Sequence, residues 1–450
     1  MDIIILLIGA VLFLGFGAFG LVSIREKEAR ATKISLSLAF ISMVIFFLLT
    51  LLPQPLKLVA LITLGILSIT LAILALLPIG KVESGDDDPK SRFDERDVVF
   101  SRYYLRPESP EYRAYYTLRP ENEFGDERMR KRPGLYSPEA RIVNPTLLAS
   151  PKASFFLADS LYPAVDGPVS EDISELPREQ MTAYIKNLAK YYGALDVGIT
   201  PLKPYHVYSH NGRGSGAYGE PIHISHRFAI ALTVEMDHRM IRSVLPASME
   251  TAKQYVEMAR AAVQLAAAIR FLGYSARAHF EGDYQVIVPL IARDAGLGEI
   301  GRMSILITPW NGPRVRIAVV TTDLELIPDQ RRMDTSVLDF CNICKKCAVN
   351  CPSRAIPFEG RQEIDGALRW KIDADACYSY WNTSGVDCAV CVAVCPYSHP
   401  NNYGHNLVRW GISKSGFFRR TASYLDDFFY SHKPTPGDGP GWTSIPSGKT

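Results

Sequence analysis

The sequence predicts an α+β protein with three transmembrane helices, a sheet-based core and a cysteine-rich domain. Three observations support this fold class. The first 80 residues contain three long apolar stretches, the middle of the chain alternates helix and strand signals, and all eight cysteines fall within residues 341–395. Such alternation favours an α/β or α+β core built on a sheet. A length of 450 residues leaves room for two or three domains.

Three stretches without a charged residue predict the membrane spans: Ile3 to Ile24, Ile34 to Leu52 and Val59 to Ile79. Each is close to the ~20 apolar residues that cross a bilayer as a helix. A cleaved signal peptide is the alternative for the first. We reject it because two more spans follow and no small-residue cleavage site precedes the next charged loop.

The distribution of cations between the two short loops predicts the orientation. The first loop contains Arg25, Lys27, Arg30 and Lys33, whereas the second contains only Lys57. Positively charged loops stay in the cytoplasm. We therefore expect a multi-pass inner-membrane protein whose large C-terminal part faces the cytoplasm.

Composition shifts predict five segments. We expect a membrane anchor over residues 1–80 and a polar linker over 81–92. We expect a central domain over 93–333, a cysteine-rich domain over 334–416 and a C-terminal tail over 417–450. Residues 92–136, rich in Arg, Tyr and Pro, are expected to wrap irregularly over the central domain.

Hydrophobic periodicity predicts the elements of the central domain. Helices are expected over residues 178–193 and 248–272, the second with Ser248 as its N-cap. Strands are expected over residues 194–199, 228–236, 285–289, 305–308 and 315–322.

The cysteines form two runs spaced as in bacterial two-cluster ferredoxins. The first run ends in Cys351-Pro352 and the second in Cys395-Pro396. In such runs two-residue gaps bring three thiolates to one cubane, and the fourth cysteine ligates the other cluster. We therefore expect two [4Fe–4S] clusters. One set of ligands is Cys341, Cys344, Cys347 and Cys395, and the other is Cys351, Cys377, Cys388 and Cys391.

Two other uses of these cysteines fit less well. Disulfides need an oxidising compartment, and two-residue gaps are too short for an ordinary framework. Zinc ribbons use CxxC pairs rather than two runs that each end in CxxxCP. Two neighbouring clusters predict one-electron transfer, without saying what is reduced.

Two further motifs in the central domain are less specific. The glycine-rich segment 295–302 lacks the Lys-Ser/Thr of a P-loop, so a tight backbone turn is expected, with close approach of a flat cofactor as the alternative. His206, His210, His223 and His226 match no zinc spacing and are expected to have polar roles at the surface or in a cofactor pocket.

From about Phe93 the sequence resembles the catalytic subunit of corrinoid-dependent reductive dehalogenases. The similar segments are Phe93–Asp97, Val234–Asp237, 295–302, Leu306–Pro309, Gly312–Arg316, Thr321–Leu324, Cys377–Trp381 and Cys395–Pro400. The resemblance implies a nitroreductase-like core that binds a base-off cobamide, next to the two clusters. The substrate would be an organohalide. The chain contains no Asp-x-His-x-x-Gly, the usual source of a histidine ligand to cobalt.

The same resemblance implies which residues carry the chemistry. Tyr255, nineteen residues before Tyr274 of a Leu-Gly-Tyr turn, would protonate the substrate carbon. Arg316 would hold the phenolate, with Arg314 as the alternative. A neighbouring cation makes a phenol easier to deprotonate. A third polar residue, which bears on substrate choice, would come from the segment His279–Asp283.

The anchor also has a counterpart in the family. Many members pair with a small three-span membrane protein that has a Glu-x-Glu loop, and here Glu26 and Glu28 lie in the first loop. The chain thus resembles anchor and catalyst in one polypeptide; a solvated charged loop is the alternative. The electron donor could be a quinol, a ferredoxin or a flavoprotein.

Two other functions remain open at this stage. One is an epoxyqueuosine-type reductase acting on tRNA, and the other is a membrane subunit that only relays electrons. The net charge of +2 gives no sign of a nucleic-acid partner, and none is expected. A pure relay would not need the long central domain.

Overall fold

A computed structural model describes residues 1–78, 85–331 and 333–445. Four parts of the sequence predictions therefore lie outside the described residues. They are residues 79–80 of the predicted anchor, which include the end of the third span, residues 81–84 of the predicted linker, residue 332 of the predicted central domain, and residues 446–450 of the predicted tail.

The helices are α1 (Asp2–Arg25), α2 (Ala29–Leu49), α3 (Gln54–Leu76), α4 (Val99–Tyr103), α5 (Pro110–Leu118), α6 (Pro120–Arg130), α7 (Pro145–Ser160), α8 (Arg178–Tyr191), α9 (His238–Ile241), α10 (Val244–Phe271), α11 (Val288–Asp294), α12 (Thr335–Cys344), α13 (Lys346–Asn350), α14 (Ala374–Ser384), α15 (Val390–Ala393), α16 (Tyr403–Lys414) and α17 (Gly416–Tyr430). The strands are β1 (Val197–Pro201), β2 (Phe228–Glu235), β3 (Ala276–His279), β4 (Glu299–Ile300), β5 (Leu306–Ile307), β6 (Val315–Thr322), β7 (Gln362–Ile364) and β8 (Ala367–Arg369).

The chain divides into two compact units. The first combines the described part of Met1–Val82 with Thr335–Cys344 and Asn401–Thr435. The second combines the described parts of Glu83–Asp334, Lys345–Pro400 and Pro436–Thr450.

The first unit contains the three predicted spans. Helices α1, α2 and α3 are long and apolar enough to cross a membrane, as the sequence predicts. Glycines allow α1 and α2 to approach closely: a Cβ at Gly9 would lie 2.6 Å from Phe46 Cβ, and one at Gly20 would lie 2.8 Å from Leu36 Cδ2. This close packing makes α1 and α2 a hairpin around the cationic first loop.

Polar contacts fix both ends of these helices. At one end, Lys57 Nζ donates to Asp2 Oδ1 (2.7 Å), which joins the starts of α1 and α3. At the other end, Ser415 Oγ donates to the Leu74 carbonyl (3.0 Å), near the end of α3. Because α1 and α3 both start at the same end, they run parallel to each other. Three successive crossings of a membrane require this arrangement of the first and third helices.

The second unit is built on a four-stranded antiparallel sheet in the order β1-β2-β6-β3. Successive side chains of a strand point to opposite faces. Ile230 and Leu232 pack against α10 on one face, and Ala229 and Ala231 pack toward α11 on the other. Helices cover both faces, which explains why β2 is buried along most of its length. The predicted α+β core is confirmed.

Several local predictions are wrong. The long helix α10 begins at Val244, so Ser248 lies inside it and is not its N-cap; Pro246 fits the first turn of a helix, where its missing N–H is no loss. The predicted strand over residues 285–289 is instead the start of α11, and only Val286 forms an isolated bridge, with Val207.

Two segments contain more regular structure than the sequence suggests. Residues 92–136 include α4, α5 and α6, and bury Tyr115 and Tyr116. The predicted polar tail begins with α17, whose Arg419 bonds to the Asp339 carboxylate of α12.

Candidate active site

Tyr255 and Arg316 meet where α10 crosses the sheet. Tyr255 lies near the middle of α10, and Arg316 lies on β6, opposite Val234 of β2. The guanidinium carbon of Arg316 is 5.0 Å from the centre of the Tyr255 ring, a cation–π distance. Arg316 Nη2 also donates to Thr251 Oγ1 (3.0 Å), one turn earlier on α10. One helix therefore positions both the phenol and its cation.

The Tyr255 phenol keeps its proton at neutral pH. Burial raises its pKa to about 12, and the nearby guanidinium of Arg316 opposes that rise. The cation expected from the sequence is present, but burial outweighs it. The ring is half-buried, because one side of it borders a cavity. Such a phenol releases its proton only to a strongly basic centre that forms beside it.

The structure separates the two arginines that the sequence left as alternatives. Arg314 is fully buried, and its Nη1 donates to Glu235 Oε1 (2.7 Å). Its Nε donates to the Ser398 carbonyl (2.5 Å). Arg314 therefore ties the sheet to the segment after the last cysteine, whereas Arg316 is the one beside Tyr255.

A tight turn after β3 holds Glu281. Phe280 and Asp283 pair across this turn, and Gly282 between them has a φ of +82°. A Cβ at Gly282 would lie 1.8 Å from the Tyr162 hydroxyl, which donates to the Glu281 carbonyl (3.1 Å). Only glycine fits there, so the turn fixes the position of Glu281.

Glu281 is electrostatically coupled to the Tyr255–Arg316 pair. Burial raises the pKa of its carboxyl, and the guanidiniums of Arg213 and Arg316 oppose the rise. The carboxyl in turn raises the pKa of Tyr255. Glu281 is therefore part of the same buried electrostatic group.

The other polar residues of the segment His279–Asp283 are engaged elsewhere. His279 Nε2 lies 2.9 Å from Thr321 Oγ1 in the core. Asp283 Oδ1 accepts from Arg277 Nη2 (3.0 Å). The structure thus brings one member of the segment, Glu281, to the Tyr255–Arg316 pair.

Four residues that the sequence analysis missed join this group: Arg213, Glu95, Tyr284 and Asp387. Arg213 Nε donates to Glu95 Oε1 (3.0 Å), and its guanidinium carbon lies 5.7 Å from the centre of the Tyr284 ring. Asp387 is buried and raises the pKa of both Tyr255 and Glu281. Only Glu95 had a signal in the sequence, because it lies in a segment that resembles the family.

A cavity of about 140 Å³ opens in front of this group. Most of the side chains that line it are apolar. Arg316 is one of the polar exceptions, and its Nε is buried without a hydrogen-bond partner among the described residues. A cavity of this volume suits a small, mostly apolar molecule, with the phenol and guanidinium supplying the polar contacts. The lining is formed by Tyr255, Tyr284, Val288, Pro289, Ile305, Leu306, Pro313, Val315, Arg316 and Ile317.

Four of the eight cysteines, Cys351, Cys377, Cys388 and Cys391, lie together in the second unit. Burial raises the pKa of Cys377 to about 12, with Cys388 and Cys351 adding to the rise. The pKa of Cys391 is also raised, first by burial and then by neighbouring thiols, which include those of Cys388, Cys377 and Cys351. Four mutually interacting thiols are the arrangement that the second predicted cluster needs.

The four cysteines of the other predicted set are divided between the units. Cys341 and Cys344 lie on α12 in the first unit. Cys347 and Cys395 lie in the second, and Cys347 also interacts with Cys391. Cys341, Cys347 and Cys395 are buried.

The glycine-rich segment 295–302 is a tight backbone turn. A Cβ at Gly298 would lie 2.2 Å from the Ile307 carbonyl of β5, and Gly296 has a φ of +77°. The glycines thus allow the chain to pack on its own backbone, as expected.

Three of the four histidines, His206, His210 and His226, have hydrogen-bonding roles. His206 Nε2 lies 3.0 Å from Asp294 Oδ2, and His226 bonds to two hydroxyls. His210 bonds to a serine hydroxyl, and His223 borders an open groove. In the ranges that the structure describes, no group of three or more His, Cys, Asp or Glu side chains is placed to hold a single metal ion.

Sequence comparison links the chain to one domain family and to individual proteins. Residues 340–399 match the 4Fe-4S dicluster domain family. The tetrachloroethene reductive dehalogenase of Sulfurospirillum multivorans is 38% identical over 208 residues, which are 44% of this chain and 41% of that protein. The enzyme of the same name from Desulfitobacterium hafniense is 39% identical over 224 residues, 46% of this chain and 40% of that protein. The chain thus spans about two fifths of the length of the curated relatives it matches.

Solved structures extend the similarity to the fold. A reductive dehalogenase, described with a mechanism for B12-dependent dehalogenation, aligns with a TM-score of 0.64 at 25% identity, covering 79% of this chain and 49% of that one. A catabolic reductive dehalogenase in complex with 3-bromo-4-hydroxybenzoic acid aligns with the same TM-score at 23% identity and the same coverage. These matches confirm the resemblance predicted from the sequence: in its matched part, the chain is similar in sequence and in fold to reductive dehalogenases.

Proposed function

We propose that the chain is a membrane-anchored reductive dehalogenase. It would replace a halogen of an organohalide by hydrogen, using two electrons and one proton and releasing halide. The observation that carries this proposal is the Tyr255–Arg316 pair, a half-buried proton donor and its cation at the edge of an apolar cavity. A subunit that only relays electrons would have no use for such a donor.

The iron–sulfur part of the proposal follows the cysteine positions. We assign one [4Fe–4S] cluster to Cys351, Cys377, Cys388 and Cys391, whose thiols interact in the structure. The other would be held by Cys341, Cys344, Cys347 and Cys395. Clusters of this kind transfer single electrons.

We propose that a corrinoid, the cofactor that the resemblance implies, binds beside this cavity. Val288, Pro289, Ile305, Leu306 and Pro313 would form the apolar side of its site. The group would supply low-potential electrons to the carbon–halogen bond. A base-off form is proposed because the resemblance to corrinoid-dependent reductive dehalogenases implies one; the chain contains no Asp-x-His-x-x-Gly to supply a histidine to cobalt.

The protein's own residues would deliver the proton. Tyr255 would donate from its hydroxyl oxygen to the carbon that loses halide. Arg316, held by Thr251, would stabilise the resulting phenolate. Because the phenol pKa is about 12, this transfer requires a strongly basic carbon, which two-electron reduction of a carbon–halogen bond creates.

We propose Glu281 as the third polar residue of the pocket. Its raised pKa keeps the carboxyl protonated to a higher pH than an exposed glutamate. A protonated Glu281 would return a proton to the Tyr255 phenolate after each turnover. Arg213 would limit how far the Glu281 pKa rises.

We propose a membrane quinol as the electron donor. Cys341 and Cys344 lie on α12, in the same unit as the apolar helices α1–α3. In that unit the Glu26 carboxylate accepts from Asn402 Nδ2 (2.7 Å) and lies 3.2 Å from His405 Nε2. A buried carboxylate–imidazole pair could accept the protons that quinol oxidation releases. The loop that contains Glu26 also carries the cations that argue for a cytoplasmic orientation.

One experiment tests the proposed function as a whole. The full chain would be purified without oxygen, analysed for iron and cobalt, and assayed for halide release with a reduced viologen and a panel of organohalides. The proposal predicts iron and cobalt in the protein and halide release with at least one compound. Iron without cobalt, and no dehalogenation after corrinoid is supplied during reconstitution, would contradict it.

A further inference from the structure

Helices α16 and α17 show a reversed pattern of burial. Each buries charged side chains, including Arg409 on α16 and Arg419 and Asp426 on α17. Their exposed positions are mostly large and apolar or aromatic: Tyr403, Leu407, Trp410, Tyr424, Leu425 and Phe428. Tyr403 is 98% exposed and Tyr424 is 77% exposed. A helix that faces water has the opposite arrangement.

The exposed side chains form a continuous stripe on each helix. On α16, Tyr403, Leu407 and Trp410 follow at intervals of four and three residues, which places them on one face. Lys414 continues the same stripe, and its Nζ lies 5.4 Å from the centre of the Trp410 ring. Tryptophan and tyrosine beside a long cationic side chain are typical of the membrane–water interface.

The stripe is continuous with the apolar surface of the spans. The Ser415 hydroxyl, between α16 and α17, bonds to the Leu74 carbonyl near the end of α3. Arg30 Nε, at the start of α2, donates to the Phe428 carbonyl on α17 (3.1 Å). Since α2 starts on the side where α3 ends, both contacts place the helix pair at the same end of the three spans.

We propose that α16 and α17 form a second, non-spanning membrane anchor. Their aromatic stripe would lie in the head-group region of the bilayer, at the end where α1 and α3 finish. Helices with one apolar face and cationic flanks lie in this plane. A lipid surface is the occupant that fits, because the exposed face continues the apolar surface of α3, whose most apolar stretch has no buried residue.

This anchor would determine the position of α12, the helix that carries Cys341 and Cys344. The carboxylate of Asp339 on α12 bonds to Arg419 Nε on α17. With α17 held at the lipid surface, α12 would stay at the level of the head groups. That position would bring these two cysteines within reach of an electron donor dissolved in the membrane.

Tryptophan fluorescence tests the proposal in the full chain. The protein would be placed in nanodiscs made from ordinary lipids or from lipids brominated close to the head group, and the loss of emission caused by bromine would be measured. Trp410→Phe keeps the helix and its apolar face, and Trp442→Phe removes another exposed tryptophan that lies outside the stripe. Iron content would show that both variants remain folded.

The proposal predicts bromine quenching in the parent protein that is largely lost in Trp410→Phe and retained in Trp442→Phe. Equal quenching in the parent and in Trp410→Phe would overturn it, because Trp410 would then lie outside the lipid. Absence of quenching, with Trp410 emission that changes with protein concentration, would assign the stripe to a contact between two copies instead. The readout does not depend on dehalogenation, so it is independent of the proposed function.

Discussion

The Arg316 guanidinium lies 5.0 Å from the centre of the Tyr255 ring and donates to Thr251, one helical turn away. The cation is therefore held against the face of the phenol rather than shared with an acidic side chain. This arrangement lets a phenolate form beside a fixed positive charge. Substitutions of Arg314 and Arg316, the two arginines of the segment Gly312–Arg316, are therefore expected to have different effects on turnover.

Arg316→Lys is expected to lower turnover while leaving the fold intact. Lysine keeps the charge but loses the planar group that contacts both Thr251 and the ring. We expect a loss of about tenfold, compared by halide release at equal cobalt content. Arg314→Lys is the matched control and should mainly lower the thermal unfolding midpoint, because Arg314 is buried among carbonyls. These roles would be contradicted if both variants lost turnover equally and Arg314→Lys kept the unfolding midpoint of the parent.

Glu281→Gln should change the dependence of turnover on pH. In the parent, the protonated carboxyl is the active form, so turnover should fall as pH rises through the raised pKa of Glu281. Glutamine keeps the size but cannot return a proton, so the variant should be slower and lack that alkaline limb. The measurement is a pH profile of single turnovers. If turnover of the variant still falls at the same high pH, another group causes that fall.

Cys377→Ser should remove one cluster. Its thiol interacts with Cys388 and Cys351, and the longest gap in the cysteine pattern separates it from Cys351. The parent is expected to contain about eight irons per chain, and the variant about four. Iron analysis and EPR after reduction measure the change. Full iron content in Cys377→Ser would mean that another residue completes the cluster.

Fusions at the C-terminus test the orientation. The cations Arg25, Lys27, Arg30 and Lys33 predict a cytoplasmic C-terminus. The structure adds that Lys57, the cation of the opposite loop, is paired with Asp2, so little free positive charge is left there. A fused fluorescent protein should be bright, and a fused alkaline phosphatase should be inactive. The reverse result would place the clusters and the electron donor on the other side.

The sequence was most informative where local spacing alone determines structure. The spans, strand β6 and the cysteine runs are defined by apolar length, alternation or fixed gaps, and all three can be recognised without knowing the fold. Residues 285–289 show the limit: their apolar run fits a strand, but α11 begins at Val288, and Pro289 fits the first turn of a helix.

The site could be predicted only in part, since it depends on contacts between distant segments. Tyr255 and Arg316 came from a family resemblance, and the choice between Arg314 and Arg316 needed the direction of each side chain from β6. Arg213 and Asp387 have no local signal, because their role comes from burial beside Glu281. The reversed burial of α16 and α17 likewise becomes visible only once it is known which side of each helix is covered.

The central claim is that Tyr255 supplies the proton for dehalogenation, and Tyr255→Phe tests it most directly. Phenylalanine keeps the ring, its contact with Arg316 and the packing of α10, and removes only the hydroxyl. The decisive measurement is the rate of halide release by parent and variant, with iron and cobalt counted in both. The account predicts equal cofactor content and a rate lower by roughly 10²–10⁴, the usual effect of losing a general acid. A Tyr255→Phe protein that retains most of its rate at full cofactor content would contradict it.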